Sequence, residues 1–229
     1  MLARLPGPRP GEGWRIIAAV PDTIQRLTGL VGAIVTLPLL AVLALAVRLE
    51  SPGPALYPAS RVGEGGRPFR CRKLRTMRWA GAEAGSGITV SADERLTRLG
   101  RLLRRYRLDE LPQLWNVVRG EMRLVGPRPE SPRFVDLADP LHREVFMARP
   151  GITGLTQLLY ADESSMLDGA DPERQYRESI LPAKLRIDAA YLRHRSTRLD
   201  LWILAQTPRA VLGHAIVPPP LLRRELADA

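Results

Sequence analysis

One uninterrupted apolar run dominates the pattern of hydrophobic and polar positions along the chain. Residues 27–47, LTGLVGAIVTLPLLAVLALAV, contain no charged side chain. A helix rises about 1.5 Å per residue, so this run is about 30 Å long, close to the thickness of a bilayer hydrocarbon core. It starts too late and is too long for a cleaved signal peptide. The run therefore predicts a membrane helix.

Pro38, near the middle of this run, leaves the topology of the helix open. Proline lacks the N–H that a helix interior needs, so it predicts a kink or a break there. Arginines lie on both sides of the run, and both flanks resemble cytoplasmic segments under the positive-inside rule. A helix that enters the bilayer, breaks at Pro38 and returns satisfies both flanks. A kinked spanning helix fits the apolar pattern equally well.

Shorter patterns predict a mainly helical chain with a small β component. Residues 55–62 and 69–74 are typical of two short strands around the glycine-rich turn 63–66. Residues 95–107 carry leucines on one face and arginines elsewhere, which predicts an amphipathic helix. Such a helix lies either on a membrane surface or on a soluble core. A further helix is predicted to begin near Asp109 and to stop at Gly120.

The remaining segments are predicted from their proline and glycine content and from apolar spacing. Residues 172–188 and 188–212 are predicted to be helical, with interruptions at Pro182 and Pro208. An interfacial helix is predicted at residues 14–26, a loop at 78–92, and tight turns at 126–129 and 149–154. The predicted division is an N-terminal extension with an interfacial segment (1–26), a membrane helix (27–48), a catalytic domain (49–217) and a tail (218–229).

The charge of the chain narrows the classes of partner. The net charge is +10 at pH 7, and only Lys73 and Lys184 are lysines, so arginine carries nearly all of it. The planar guanidinium matches phosphate oxygens, and this composition fits nucleic acid or anionic lipid. A GC-rich genome produces the same arginine excess without a physical cause. The single cysteine, Cys71, excludes an intramolecular disulfide and a cysteine-based zinc site.

Asp109 and Glu110 form a carboxylate pair at a predicted helix start. From the residues alone, Asp109 as a helix N-cap is the favoured interpretation. The alternative is chemical, because a carboxylate can attack phosphorus while arginines bind the phosphates and an adjacent carboxylate holds a divalent cation. The arginines that surround the pair are Arg104, Arg105, Arg107, Arg119, Arg123 and Arg128.

Residues 27–212 resemble the bacterial sugar transferase family, the monotopic phosphoglycosyl transferases. The matching segments, in order, include RLESPGPALYPASRVGEGGRPFRCRKLRTM (48–77), ERLTRLGRLLRRYRLDELPQLWNVVRGEMRLVGPRPE (94–130) and RPGITGLTQL (149–158). The resemblance implies an α+β, mainly helical fold with a re-entrant membrane helix broken at Pro38. It also implies amphipathic interfacial helices and a small β-hairpin or sheet around the active site. The expected form is the small one, without the N-terminal four-helix membrane domain of larger relatives.

The resemblance also implies a reaction. The Asp of the pair attacks the β-phosphate of a UDP-sugar, UMP leaves, and a polyprenol phosphate then takes the phosphosugar. This is the first membrane step of a glycoconjugate pathway, at the cytoplasmic face of the bacterial inner membrane, and Mg²⁺ is the implied cofactor. The implied partners are a UDP-sugar, a polyprenol phosphate and membrane lipids, with no nucleic acid. Oligomeric state stays open, with a dimer among the alternatives.

Site residues follow from the matching motifs. Asp109 is implied as the nucleophile, and Glu110 with Asp109 as the metal-binding pair. The implied substrate- and phosphate-binding residues are Lys73, Arg75, Arg104, Arg128 and Gln157.

The chain departs from the family at several positions. Leu37 stands where a serine is usual, and Thr156 where an aromatic is common. The basic-aromatic-Asp signature before the helix is not recognisable, and Arg26 is the only nearby candidate. Two other functions remain open: a non-catalytic, membrane-anchored basic protein, and an enzyme of this fold whose acceptor is not a polyprenol. The sugar is not determined, and its selection is predicted to involve residues 81–91 and 159–173.

Overall fold

The longest element of the fold is helix α1, Asp22–Glu50, which contains the predicted membrane run and extends beyond it at both ends. The chain is helical on both sides of Pro38, so the helix is not interrupted there, and a kink at the proline is the form of the expected break that this helix allows. Proline removes only one backbone donor, and the neighbouring Thr36 hydroxyl donates to the Gly32 carbonyl at 2.7 Å. Among the described residues, α1 is the one helix long and apolar enough to cross a membrane.

The structure is a computed structural model, and it describes residues 20–79, 93–161, 163–167 and 171–227. Most of the interfacial helix predicted at residues 14–26 lies outside this part, and its last residues belong to α1. Nearly all of the loop predicted at 78–92 lies outside it too, as does the whole of residues 81–91.

One face of α1 packs on the rest of the chain, and the other faces outward. An ideal Cβ on Gly29 would lie 3.0 Å from Cγ1 of Val117, so the glycine lets helix α3 (Leu114–Arg119) approach closely. The outward face is apolar, with Val35 72% and Leu37 62% exposed. Exposed apolar surface on this scale is unfavourable in water and indicates an apolar or interfacial partner for the helix.

An antiparallel hairpin follows α1, as the sequence predicted. Strand β1 (Leu56–Val62) pairs with β2 (Pro68–Leu74), and Tyr57 lies opposite Lys73. Gly65 and Gly66, in the turn between them, have φ angles of 70° and 74°, which side-chain-bearing residues rarely adopt.

A second, parallel pair of strands was not predicted. β3 (Arg123–Val125) pairs with β4 (Gly151–Thr153), and each has only three residues, too few for a period-two pattern to be detected. The predicted turns 126–129 and 149–154 adjoin or overlap these strands. They touch because Gly126 has no side chain: an ideal Cβ there would lie 2.8 Å from the Arg149 carbonyl oxygen.

The remaining helices are short, and the central one is α7. In order they are α2 (Arg98–Arg105), a 3₁₀ turn (Leu108–Gln113), α3, a 3₁₀ turn (Pro132–Phe134), α4 (Pro140–Phe146), α5 (Leu155–Leu159), a 3₁₀ turn (Glu163–Met166), α6 (Pro172–Gln175), a π turn (Tyr176–Ile180), α7 (Leu181–Arg193), α8 (Thr197–Val211) and α9 (Pro220–Ala227). The mainly helical α+β fold is thereby confirmed, although the amphipathic helix predicted at 95–107 is shorter than expected.

Helix α7 is buried on two sides, and it organises the C-terminal half. Leu185 packs in a cluster with Phe146, whereas Tyr191 packs in a second cluster with Ile203. The helix interruptions expected at Pro182 and Pro208 are wrong. Pro182 falls in the first turn of α7, and Pro208 lies inside α8. The break falls at 194–196, where Ser196 caps α8. Leu222 of α9, in the predicted tail, is fully buried in the second cluster.

Candidate active site

A residue with left-handed backbone conformation directly precedes the turn that carries the carboxylate pair. Arg107 has a φ of 56° and is the one non-glycine residue with positive φ in the described ranges. The 3₁₀ turn Leu108–Gln113 begins directly after it and carries Asp109 and Glu110 in its first turn. Arg107 is the N-cap residue of this turn and makes no side-chain capping bond, and Asp109 lies inside the turn, so the prediction that Asp109 is a helix N-cap is wrong. The α-helix of this region begins only at Leu114.

Glu110 is buried and held by cations from three segments. Its Oε1 lies 2.8 Å from Nζ of Lys73, 3.6 Å from Nη2 of Arg128 and 4.0 Å from Nη1 of Arg107. Burial raises the pKa of Glu110, but the charges of Lys73, Arg128 and Arg107 outweigh it and hold that pKa far below its usual range. Glu110 is therefore ionised and fixed in place.

Asp109 differs from its neighbour because nothing in the described part of the chain binds it. The exposed fraction of Asp109 is 5%, yet no hydrogen bond or ion pair joins its carboxylate to another described residue. Burial raises the pKa of Asp109, while the charge of Lys73 lowers it and that of Glu110 raises it. Its oxygens are therefore available to a substrate or a metal.

Arg104 is the fourth cation near the carboxylate pair. Its Nε donates to Oγ1 of Thr76 at 2.9 Å. Burial lowers the pKa of Arg104, and the charge of Asp109 is the strongest influence in the opposite direction. Four cations thus surround two carboxylates, an excess that fits an anion of about two charges such as a diphosphate.

Gln157, on α5, is a second buried group whose side chain has no partner among the described residues. Its exposed fraction is 8%, and neither its amide oxygen nor its amide nitrogen has a hydrogen-bond partner within the described structure. A Cβ on Gly154 would lie 2.6 Å from Oε1 of Gln157 and 2.2 Å from the Gly126 carbonyl oxygen, so the amide lies against the turn that carries Arg128. Buried amides are normally paired, and this one is expected to bind a ligand.

The structure places Arg75 outside the site. Its guanidinium donates to the carbonyls of Val47, Ser51 and Pro52 at 3.2, 2.7 and 2.7 Å and to the Ser51 hydroxyl at 2.8 Å. These acceptors lie at and just beyond the C-terminal end of α1, where helix carbonyls lack intrahelical partners. Arg75 therefore ties β2 to the end of α1, and nothing in the geometry supports the predicted phosphate contact.

The comparison with known protein families decides the family. A family model described as "Bacterial sugar transferase" matches residues 17–214. The chain belongs to the bacterial sugar transferase family. The match contains every residue that the site brings together.

Individual members of the family support the assignment. The UDP-N-acetylgalactosamine-undecaprenyl-phosphate N-acetylgalactosaminephosphotransferase of Aeromonas hydrophila is 36% identical over 196 residues, which cover 82% of this chain and 44% of that protein. The UDP-glucose:undecaprenyl-phosphate glucose-1-phosphate transferase of Caulobacter vibrioides is 41% identical over 180 residues, 76% of this chain and 63% of that protein. This chain therefore spans less than two thirds of the length of either relative.

The site fits Mg²⁺ only if substrate phosphates and water supply most of the metal's ligands. No group of three potential metal-binding side chains occurs among the residues that the structure describes. Mg²⁺ is commonly held by one or two carboxylates together with substrate phosphates, and it keeps several waters. Asp109 has uncommitted oxygens, whereas Oε1 of Glu110 is already bound to Lys73. Asp109 is thus the stronger candidate ligand for Mg²⁺ in this site, and Glu110 lies beside it.

Two features of the site were missed at the sequence level. Arg107 was named among the surrounding arginines but was not predicted as a site residue. Its left-handed backbone conformation cannot be recognised from the residue type. A buried network beneath the site, formed by Glu130, Lys184 and Asp188, was also missed. The one available signal was that Lys184 is one of two lysines in an arginine-rich chain.

Proposed function

We propose that this chain is a phosphoglycosyl transferase that moves a sugar-1-phosphate from a UDP-sugar to a polyprenol phosphate. The observation that carries the proposal is the contrast within the carboxylate pair. Glu110 is held by cations, whereas the carboxylate of the adjacent, buried Asp109 is bound by no residue that the structure describes. The names of the Aeromonas and Caulobacter relatives describe transfers of this class.

In the first half-reaction, an Asp109 carboxylate oxygen attacks the phosphorus that bears the sugar. A bond forms from that oxygen to phosphorus, and the bond from phosphorus to the bridging oxygen of UMP breaks. UMP leaves with the electron pair, and a covalent aspartyl-phosphosugar remains. The bond from the sugar to its phosphate oxygen is untouched, so the anomeric configuration is retained.

In the second half-reaction, a phosphate oxygen of the polyprenol phosphate attacks the same phosphorus. The bond from phosphorus to Asp109 breaks, and the carboxylate is regenerated. Lys73, Arg104, Arg107 and Arg128 stabilise the negative oxygens in both steps, because fixed cations in a buried site act more strongly than in water. Bound Mg²⁺, held by Asp109 and Glu110, would supply further neutralisation of the diphosphate.

We also propose that α1 brings the site to the cytoplasmic face of the bacterial inner membrane, with both ends of the helix on that side. The exposed apolar face of α1 and the arginines on both flanks support this placement. New cysteines at Arg9 and Arg67 test it with an impermeant thiol reagent on intact and opened cells. Cys71 is fully buried, so the parent chain supplies the control. Labelling of both positions from the same side is expected, and opposite sides would establish a spanning helix.

The activity test is UMP release from a panel of UDP-sugars with Mg²⁺ and undecaprenyl phosphate. Asp109→Asn is expected to abolish release, because an amide is not a competent nucleophile. Asp200→Asn is the matched control. Asp200 is also buried, and its partners are the Tyr191 hydroxyl at 2.6 Å and Arg195, whose Nη2 lies 3.6 Å from Oδ2. An asparagine oxygen still accepts the Tyr191 bond, and Asp200 takes no part in the proposed reaction.

The covalent step has its own readout. With a UDP-sugar and no acceptor, the mass of one sugar phosphate should appear on the peptide that contains Asp109, and it should disappear when undecaprenyl phosphate is added. Full turnover in Asp109→Asn would refute the mechanism. A protein that only binds nucleic acid or anionic lipid would instead show no UMP release and a steep salt dependence of binding.

A further inference from the structure

The turn that carries Arg128 has one backbone donor in a special position. Pro127 and Pro129 flank Arg128, and proline has no N–H, so the Arg128 amide is the only backbone donor of these three residues. That N–H donates to Oδ2 of Asp188 at 3.2 Å. The side chain of the same residue reaches Glu110. The position of one guanidinium at the site therefore depends on a main-chain bond to a residue of α7.

Asp188 also binds the helix that carries Gln157. The hydroxyl of Thr156, the neighbour of Gln157 on α5, donates to Oδ1 of Asp188 at 2.5 Å. Asp188 is 3% exposed, so both bonds are shielded from water. One carboxyl group thus joins the turn of Arg128 to the helix of Gln157.

The next turn of α7 strengthens the same attachment. Lys184 lies four residues before Asp188, on the same face of the helix. Its Nζ lies 2.9 Å from Oε1 of Glu130, two residues beyond Arg128. Helix α7 therefore holds the turn at the main chain of residue 128 and at the side chain of residue 130.

We propose that Asp188 is a positioning residue that fixes the turn of Arg128 against α5, and that it acts as a hydrogen-bond acceptor. This inference rests on the proposed function, in which Arg128 stabilises the negative phosphate oxygens, and on the site geometry, in which Gln157 is expected to bind a ligand. Burial raises the pKa of Asp188 to about 7, although the bonds from Thr156 and Arg128 oppose this, so a full negative charge is not favoured there.

An acceptor role distinguishes Asp188→Asn from Asp188→Ala. The asparagine oxygen accepts the Arg128 N–H, and its NH₂ faces the Thr156 hydroxyl. That hydroxyl is then free to donate to the Lys184 carbonyl, which already lies 3.3 Å away. Every bond is replaced in Asp188→Asn, whereas Asp188→Ala leaves the Arg128 N–H and the Thr156 hydroxyl without their partner.

The first experiment is hydrogen exchange at the Arg128 amide, resolved to the single residue. Asp188→Ala should accelerate this exchange about 10-fold or more, and Asp188→Asn should stay near the parent rate. The Gly126 amide, which donates to the Thr153 carbonyl at 3.0 Å, is the internal control for general loosening. Equal acceleration at Gly126 and Arg128, or equal effects of the two variants, would overturn the inference. This readout does not depend on the proposed function.

The second experiment is a binding cycle with UDP as the probe, by calorimetry in the presence of Mg²⁺. Asp188→Ala should weaken UDP binding about 10-fold in the parent chain and much less in Arg128→Ala, because Asp188 acts through that arginine. Additive losses would overturn the inference. If Asp188→Ala does not fold, Thr156→Val replaces it in both experiments, with a smaller expected effect of the same pattern.

The two proposals fail separately. Absence of UMP release from every UDP-sugar would remove the proposed function, and the exchange of the Arg128 amide would still test the positioning role. Normal turnover together with unchanged exchange in Asp188→Ala would remove the positioning role alone.

Discussion

Lys184→Met tests whether the buried network beneath the site supports the fold. Lys184 is 3% exposed, and its Nζ lies 2.9 Å from Oε1 of Glu130, 2.9 Å from Oε2 of Glu163 and 2.7 Å from the Tyr176 hydroxyl. Methionine retains the apolar stem and removes the charge. Glu130 would then keep the Tyr176 hydroxyl and Arg61, whose Nη1 is 4.0 Å away.

The pKa of Glu130 gives the magnitude of the effect. Burial raises this pKa, but the charges of Lys184 and Arg61 and the hydrogen bond from Tyr176 outweigh it and lower the pKa from 4.5 to about 2. A shift of that size corresponds to about 3 kcal/mol of folding free energy. Because the folded pKa is depressed, this stability is present above pH 4.5 and is lost as the pH falls towards 2. Removing one partner of a buried ion pair costs a similar amount, about 3–5 kcal/mol.

The assay is thermal unfolding in detergent or nanodiscs at pH 7.5 and a fixed scan rate. A loss of about 3 kcal/mol in a chain of this size lowers Tm by about 6–12 °C. Adding Glu130→Gln to Lys184→Met should recover part of the loss, because the buried carboxylate that has lost its 2.9 Å partner is then replaced by a neutral amide. Arg174→Met is the matched control, since it removes an exposed 3.0 Å pair with Glu178 and should cost less than about 1 kcal/mol.

The reasoning would be refuted if Lys184→Met melted within about 2 °C of Arg174→Met. Glu130 would then be protonated or hydrated, and the anchor beyond Arg128 would not depend on Lys184.

Three further predictions concern positions outside the carboxylate pair. Arg75→Met should lower the free energy of unfolding by about 1–3 kcal/mol, because carbonyls around the end of α1 lose their donor, with KM for the UDP-sugar unchanged; a raised KM would restore the phosphate contact. Burial raises the pKa of Asp188 from 3.8 to about 7, so its contribution to stability is full below pH 4 and is lost as the pH rises through 7. The parent chain should therefore be more stable to urea at pH 5 than at pH 8, and Asp188→Asn should make this difference between the two pH values smaller. An unchanged difference in the variant would contradict this. Gly100→Ala should destabilise the chain by more than about 2 kcal/mol, because its Cβ would lie 1.9 Å from the Thr76 carbonyl oxygen, while Gly32→Ala, with its nearest contact at 3.4 Å, should cost much less; similar melting temperatures for the two would exclude the clash.

Local patterns predicted those elements whose signal is contained in a few neighbouring residues. The apolar run, the hairpin and the basic amphipathic helix all depend on spacing along the chain, and all three are present. The parallel pair β3–β4 was not predicted, because its strands are three residues long and depend on two glycines that let distant turns touch. Pro182 was misjudged as an interruption, since a proline in the first turn of a helix costs no hydrogen bond, whereas Pro208 lies inside α8 and removes a single backbone donor without ending the helix.

The carboxylate pair illustrates the boundary between local and tertiary information. The sequence by itself determined that Asp109 and Glu110 lie among arginines and that the surrounding motifs are those of a sugar transferase. Only the tertiary structure decided which cations reach the pair. Lys73 comes from β2, 37 positions away in the chain, and Arg128 from a turn held by α7.

Arg75 and Asp188 also needed the tertiary structure. The sequence assigned Arg75 to the site and did not assign Asp188. Arg75 lies two residues from Lys73 and matches the same motif, and in an extended strand the two side chains would share a face. Strand β2 ends at Leu74, however, and Arg75, just beyond it, faces the end of α1. Asp188 carries no motif that marks it as part of a site. Burial beside Thr156 and the lone amide of a proline-flanked turn gives it that position, and burial is a property of the packed chain rather than of any segment of the sequence.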